Sequence, residues 1–237
     1  MLRGWFLTGR PNGGAVVLMH GVHANRTSMV ERAHILHASG FSILLFDFQA
    51  HGESPGKRIT FGYLEALDAE AAVAFVKQRA PGERVGAIGT SLGGAATLLG
   101  PTPLLVDALV LESVYPDIGS ATANRVRAVV GVRIGSLVAV PLARLFELTM
   151  SPILGVAPAK LRPIDHIADV AAPVLIASGT LDNRTRLEET IALFSRAREP
   201  KSIWLVDGAR HVDLERYAPD GYRAHVLAFL VAQLQQR

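Results

Sequence analysis

Short runs of aliphatic and β-branched residues, most of them followed by a stretch with helical spacing, constrain this chain more than any other feature. The runs are Ala15–Met19, Ser42–Phe46, Arg84–Ile88, Ala108–Leu111, Val174–Ala177 and Ser202–Val206. Polar residues hardly interrupt them, which is the pattern of strands buried on both faces. Helical stretches are expected at about Ser28–Ser39, Tyr63–Arg79, Leu92–Leu99, Arg186–Ala197 and Tyr222–Gln235. A strand that returns to its sheet through a helix arrives parallel. The alternation therefore predicts an α/β fold with a mostly parallel central sheet and helices on both faces. Leu2–Leu7 is a candidate extra strand at the sheet edge. The segment 116–166 breaks the rhythm with apolar helical patches interrupted by Pro141, Pro152, Pro158 and Pro163. It is expected to form a small helical cap over the carboxyl ends of the strands, inserted into a single domain spanning 1–237.

The 237 residues suffice for a substantial core, and nearly half are apolar. The net charge is +3, with Lys and Arg scattered rather than gathered into a basic stripe with aromatics, so nucleic acid is not an expected partner. The absence of cysteine removes disulfides, thiolate metal sites and a thiol nucleophile together, and it fits a reducing compartment. Met1–Leu7 lacks a signal-peptide layout, and the apolar region Val126–Phe146 is broken by Arg127, Arg133, Pro141 and Arg144. These features lead to the expectation of a soluble, cytoplasmic protein without a membrane span. Nothing in the sequence sets an oligomeric state.

Gly89-Thr90-Ser91-Leu92-Gly93 closes the apolar run that ends Val85-Gly86-Ala87-Ile88. It reads as G-x-S-x-G where a strand turns into a helix. A serine hydroxyl becomes a useful nucleophile when a sharp turn presents it to a base and to free backbone N–H groups. Glycines on either side let strand and helix pass closely around a strained Ser91. Of eight histidines, His211 is placed to be the base, because it follows the last strand through Asp207-Gly208-Ala209-Arg210 and precedes the final helix. Asp182, just past Val174–Ala177, is the expected acid; it could instead cap the following helix, and Glu112 at the end of Ala108–Leu111 is the alternative acid. The oxyanion formed in acyl transfer requires aligned donors, expected from the backbone N–H groups of Leu92 and Val22. His20 and His23 could suggest a metal, but no acidic or further histidine cluster stands near them in sequence. Asp47 and His51, in Asp47-Phe48-Gln49-Ala50-His51-Gly52-Glu53-Ser54, come too early for the acid and base roles and are expected to brace a turn.

With these residues assembled, the chain resembles the α/β-hydrolase superfamily, and within it the bacterial serine hydrolases grouped with carboxylesterases, lysophospholipase-like and serine aminopeptidase-like proteins. The resemblance rests on His20-Gly21, Phe46-Asp47 through Ser54, Gly89 through Gly94, Asp182, and Gly208 through His211, in family order over nearly the whole chain. It implies an α/β-hydrolase fold, acyl-enzyme chemistry and no cofactor. Two departures stand out. Relatives often carry Arg-Gly where this chain has Gln49-Ala50. They also commonly open with an antiparallel strand pair, whereas Met1 here stands inside the second strand, which would leave a sheet edge exposed.

The insertion is rich in Leu and Val. Most of these side chains are expected to pack onto the sheet, with a minority, Leu145 and Leu154 among them, lining an acyl pocket. No carboxylate is obviously placed to grip a peptide's free amine. The leading expectation is a serine carboxylesterase acting on a small-molecule ester of short to medium acyl chain. A thioesterase or peptidase would use the same residues, and a binding module of the same fold is the non-catalytic alternative.

Overall fold

Val16 and Leu18 pack into one apolar cluster, while Ala15, Val17 and Met19 of the same strand pack into another, so this strand is buried on both faces. The computed structural model that shows this describes residues 1–235, apart from the side chains at 132–134 and 136. Its sheet has seven strands: β1 (Arg3–Leu7), β2 (Ala15–Met19), β3 (Ser42–Asp47), β4 (Val85–Thr90), β5 (Ala108–Glu112), β6 (Val174–Gly179) and β7 (Lys201–Val206). The order across the sheet is β1-β3-β2-β4-β5-β6-β7. β1 pairs with β3 antiparallel, Arg3 opposite Asp47, and every other pairing is parallel. This is the mostly parallel sheet of an α/β hydrolase.

The helices are α1 (Val30–Ala38), α2 (Glu65–Arg79), α3 (Leu92–Leu98), α4 (Ile118–Val130), α5 (Val132–Leu154), α6 (Pro163–His166), α7 (Leu187–Arg196), α8 (Leu214–Tyr217), α9 (Pro219–Tyr222) and α10 (Ala228–Leu234). α1 and α10 cover one face, and α2, α3 and α7 the other. The final helical run begins earlier than its apolar spacing implied, because Pro219 is accommodated at a first helical turn, where no N–H is needed.

β2 hands the chain to β3 on one side, and the next strand, β4, pairs with it on the other. The loops leaving β2 and β4 therefore diverge outside their carboxyl ends, and such a switch point opens a crevice. α4, α5 and α6 lie between β5 and β6 in the chain. α4 packs against α5, and the small buried residues Ala123, Ala139 and Ala143 form their common cluster.

One expectation changes here. Gly131, at φ 83°, separates α4 from α5, so Arg127 belongs to a different helix from the apolar residues that follow. Within α5 the window Leu137–Leu154 has a mean hydropathy of 1.5, is 17% buried, and is long and apolar enough by composition to cross a membrane. Its charged residues Arg144 and Glu147 pair at 2.9 Å. The segment Val126–Phe146, judged as one stretch, concealed that window.

Candidate active site

β4 ends at Thr90 and α3 begins at Leu92, so Ser91 makes the turn between them, at φ 51° and ψ −109°. A residue with a side chain holds such a conformation only when its surroundings impose it, at a cost of about 1–3 kcal/mol. Two hydrogen bonds help to impose it: Ser91 N–H donates to the Glu112 carbonyl at 2.8 Å, and Ala95 N–H donates to the Ser91 carbonyl at 2.9 Å. The glycines of the motif permit the close crossing. A Cβ on Gly89 would stand 2.6 Å from Gly94 Cα, and one on Gly93 would stand 2.4 Å from the Met19 carbonyl oxygen.

His211 and Asp182 lie on the loops beyond β7 and β6, and they meet. His211 Nδ1 donates to Asp182 Oδ2 at 2.8 Å. That bond assigns the proton to Nδ1 and leaves Nε2 with a free lone pair. The other oxygen of Asp182 accepts N–H groups from Arg184 at 2.8 Å and Thr185 at 2.9 Å. Burial pushes the Asp182 carboxyl up, but the His211 bond and charge, with those two N–H groups, hold it net below its ordinary value. It is thus an anion aimed at the imidazole. The N-capping alternative is not realised: the helix that follows, α7, has Arg186 at its N-cap, and the second oxygen of Asp182 binds the loop ahead of it.

A cavity of about 730 Å³ opens over this region, and Val22, Ser91, Leu92 and His211 all belong to its wall. Among the described residues no hydrogen bond joins Ser91 to His211; sharing a wall is what the unliganded geometry gives them. Leu92 N–H is at the first position of α3, where no helical carbonyl can receive it. His20 bears on the second expected donor. Its Nε2 accepts the Phe48 N–H at 3.2 Å, so Nδ1 carries the proton and donates to the Gly21 carbonyl at 2.8 Å. Gly21 C=O and Val22 N–H share one trans peptide plane and point in opposite directions. Holding the carbonyl on His20 thereby turns the Val22 N–H away from it. Burial, aided by the His51 charge, lowers the His20 pKa to about 4, against smaller opposing effects of the Gly21 carbonyl and Asp47, so the ring is neutral. Both ring nitrogens bind backbone, which removes His20 as a metal ligand.

Glu112, the alternative acid, is engaged elsewhere. Its carboxylate accepts Arg32 Nη2 at 2.7 Å, Tyr222 OH at 2.7 Å and Thr90 Oγ1 at 3.0 Å. Asp47 and His51 brace their turn: Asp47 accepts the N–H groups of Arg26 at 2.7 Å and Glu53 at 2.9 Å, and His51 Nδ1 bonds the Gln49 carbonyl at 3.0 Å.

The pocket residues require correction. Leu145 is exposed and Leu154 packs on the core, and neither belongs to the cavity wall; Phe146 does. Successive helical residues differ by about 100° in direction, so Leu145 faces solvent where Phe146 faces the cavity. Sequence reasoning also passed over Phe61, Arg125 and Arg184, which line the same space. No motif contains them: Phe61 lies between β3 and α2, Arg125 on α4 and Arg184 after β6, and only tertiary packing brings them to one cavity. A second cavity, of about 470 Å³, lies beside α4 and α5 among charged side chains such as Arg127, Arg144 and Glu189, and contains none of the candidate residues.

Comparison with known proteins bears on the family and the fold. A family model described as serine aminopeptidase, S33, matches residues 10–143. The chain is 30% identical over 218 residues to Rv2307c of Mycobacterium tuberculosis, covering 90% of this chain and 69% of that protein. It is also 29% identical over 150 residues to the thiohydrolase aneE of Aspergillus aculeatus, covering 56% of this chain and 46% of that one. Among solved structures, the Pyrococcus furiosus esterase Pf2001 superposes with a TM-score of 0.77 at 23% identity, covering 98% of this chain and 87% of its own. The Paleococcus ferrophilus monoacylglycerol lipase superposes at 0.69 with 24% identity, covering 98% and 99%.

Proposed function

The chain belongs to the S33 serine aminopeptidase family of α/β hydrolases, and from that premise we propose that it is a serine carboxylesterase, cleaving esters of short to medium acyl chain through an acyl-enzyme on Ser91. The observation that carries this reading is the Asp182–His211 bond of 2.8 Å beside a cavity that also holds Ser91. In the proposed reaction His211 Nε2 takes the Ser91 proton as Oγ attacks the ester carbonyl. Asp182 stabilises the imidazolium that forms, without itself becoming protonated. The negative charge gathering on the carbonyl oxygen meets the Leu92 and Val22 N–H groups, and each such donor is worth about 3–4 kcal/mol of barrier. Collapse of this intermediate expels the alkoxide, which leaves as the alcohol with the proton from His211. Water, deprotonated by the same nitrogen, then attacks the acyl group and restores Ser91.

The esterase and lipase named among the structural neighbours support an ester over an amide. So does the cavity wall, whose only carboxylate among the described residues is Asp213, already paired with Arg32 at 2.8 Å; a free amine finds no acid to bind. The thiohydrolase relative keeps thioesters as the second reading. The test is labelling with a fluorophosphonate, read by intact mass, alongside turnover of matched p-nitrophenyl ester, thioester and aminoacyl-amide substrates. Wild type should take up one label and hydrolyse the ester; Ser91→Ala should do neither. Asp182→Asn should lower kcat by about 10³–10⁴-fold. Full activity in Asp182→Asn would refute the acid assignment, and the absence of labelling in wild type would refute the reading as a whole.

A further inference from the structure

We propose that the active-site cavity contains a subsite for an anion, built from Arg125 and Arg184, and that the preferred ester carries a carboxylate or phosphate close to its scissile bond. The proposal rests on the hydrolase reading above and specifies the substrate class for that same cavity.

Arg125 on α4 and Arg184 on the loop after β6 both line the cavity that holds Ser91 and His211. Neighbouring arginines find partners: Arg127 bonds Asn124 at 2.9 Å, Arg144 pairs with Glu147 at 2.9 Å, and Arg186 with Glu188 at 2.8 Å. Among the described residues neither Arg125 nor Arg184 has an acidic partner. Instead they oppose each other: partial burial, and then the charge of Arg184, depress the Arg125 guanidinium from its ordinary value. Two cations lining one cavity without an acidic partner raise the positive potential there, which favours an anion, and the planar guanidinium fork suits carboxylate or phosphate oxygens.

The pair is held in place by the catalytic scaffold. Asn124, adjacent to Arg125 and 1% exposed, donates through Nδ2 to the Arg184 carbonyl at 3.1 Å and to both oxygens of Glu189, at 2.7 and 2.9 Å. The N–H of Arg184 in turn donates to Asp182 at 2.8 Å. One buried amide thus ties the two arginines to each other and to the proposed catalytic acid. Ser113, 4% exposed, belongs to the wall of the same cavity. It holds φ 48°, and its buried Oγ has no hydrogen-bond partner among the described residues. Thr185 secures the turn by donating its hydroxyl to the Ser113 carbonyl at 3.1 Å. Arg32 adds no net charge there, since Glu112 and Asp213 already hold it.

Two substrate pairs separate the sources of the anion. Mono-p-nitrophenyl glutarate against p-nitrophenyl valerate places a carboxylate on the acyl half. Butyryl-glycerophosphate against monobutyrin places a phosphate on the alcohol half. At low ionic strength kcat/KM for the anionic member of one pair should exceed that of its neutral partner by about tenfold or more. In the double variant Arg125→Gln, Arg184→Gln that ratio should fall to about one, and in the Lys variants it should be intermediate. Added salt should shrink the ratio in wild type, because both arginines stand at an exposed rim. Binding of glutarate and of glycerophosphate to Ser91→Ala, by calorimetry, tests the subsite without catalysis; the double substitution should weaken it by about tenfold or more. If Ser91→Ala binds an anion through the arginines while wild type hydrolyses no ester, the hydrolase reading falls and the subsite stands. Anionic preference or anion binding that survives the double substitution, or neither being seen in wild type, overturns the subsite.

Discussion

Ala50 holds φ 57°, in the left-handed region, directly before His51. Resemblance to the family places glycine there in many relatives, and the backbone explains why: the turn between β3 and α2 demands a conformation that only glycine adopts freely. For alanine the left-handed region costs about 1–2 kcal/mol, against about 0.5–1 kcal/mol for the extra freedom glycine brings to the unfolded chain. Ala50→Gly should therefore stabilise the protein by somewhat under 1 kcal/mol, a rise in melting temperature of about 2–4 °C at most for a chain of this size. Thermal melts of the two proteins check this, and a lower melting temperature in the variant would contradict it. Ser91 pays the same kind of strain for a different reason, because its conformation delivers a hydroxyl to the cavity.

At the scale of elements, Arg32 joins three parts of the fold. From α1 it reaches Glu112 at the end of β5 at 2.7 Å and Asp213 beyond β7 at 2.8 Å, while Glu112 accepts the hydroxyl of Thr90, next to Ser91. Both Arg32 and Glu112 are almost completely buried, so removing one strands a charge without solvent. Arg32→Met should destabilise by about 3–5 kcal/mol, and adding Glu112→Gln should recover part of that loss. Urea unfolding of the single and double variants measures it; additive losses would mean that the pair is not coupled. α5 supports a second expectation. Phe146 meets the cavity and lies edge-on to Phe61 with ring centroids 6.5 Å apart, while Leu145 meets solvent. On the esterase reading, Phe146→Ala should move the optimum acyl length, by up to about tenfold in kcat/KM for two methylenes at about 0.8 kcal/mol each. Leu145→Ala should leave the optimum where it is. A graded series of p-nitrophenyl esters decides between them, and the same shift in both variants would refute the cavity assignment.

For the molecule as a whole, His20 is one group through which acid acts on stability. Its folded pKa, about 4, lies below the ordinary 6.5. Between those values the unfolded chain binds a proton that the fold refuses, so the His20 contribution to stability falls as pH drops through this window and is constant above it. Asp68, whose carboxyl burial raises to about 6, works in the opposite direction over much of the same range. The full effect is about 3 kcal/mol, at 1.36 kcal/mol for each unit. Asp182, held below its ordinary value, adds a further loss only at lower pH, as its carboxylate becomes protonated. Urea midpoints at pH 7 and pH 4.5 should differ more for wild type than for His20→Gln; equal differences would remove His20 as the cause.

The apolar runs announced the parallel sheet because a strand covered on both faces has to be apolar on both, and that property is written locally. Ser91 was legible for a similar reason, since the sharp turn demands glycines at fixed offsets, and Gly89 and Gly93 supply them. The order of Ser91, Asp182 and His211 named three strand ends, but sequence left Asp182 and Glu112 competing for one role. The fold gives Glu112 to Arg32, Tyr222 and Thr90 and brings Asp182 to His211. Beyond Val22, Ser91, Leu92 and His211, the lining of the cavity was not legible. Leu145 and Phe146 are neighbours of similar character, and only the packing of α5 turns one to solvent and the other inward. Arg125 and Arg184 lie on separate elements, and it is the buried amide of Asn124 that brings their backbones together. Local chemistry specifies strands and turns; which side chains share a space depends on contacts between residues far apart in the chain, and those exist only once the chain has folded.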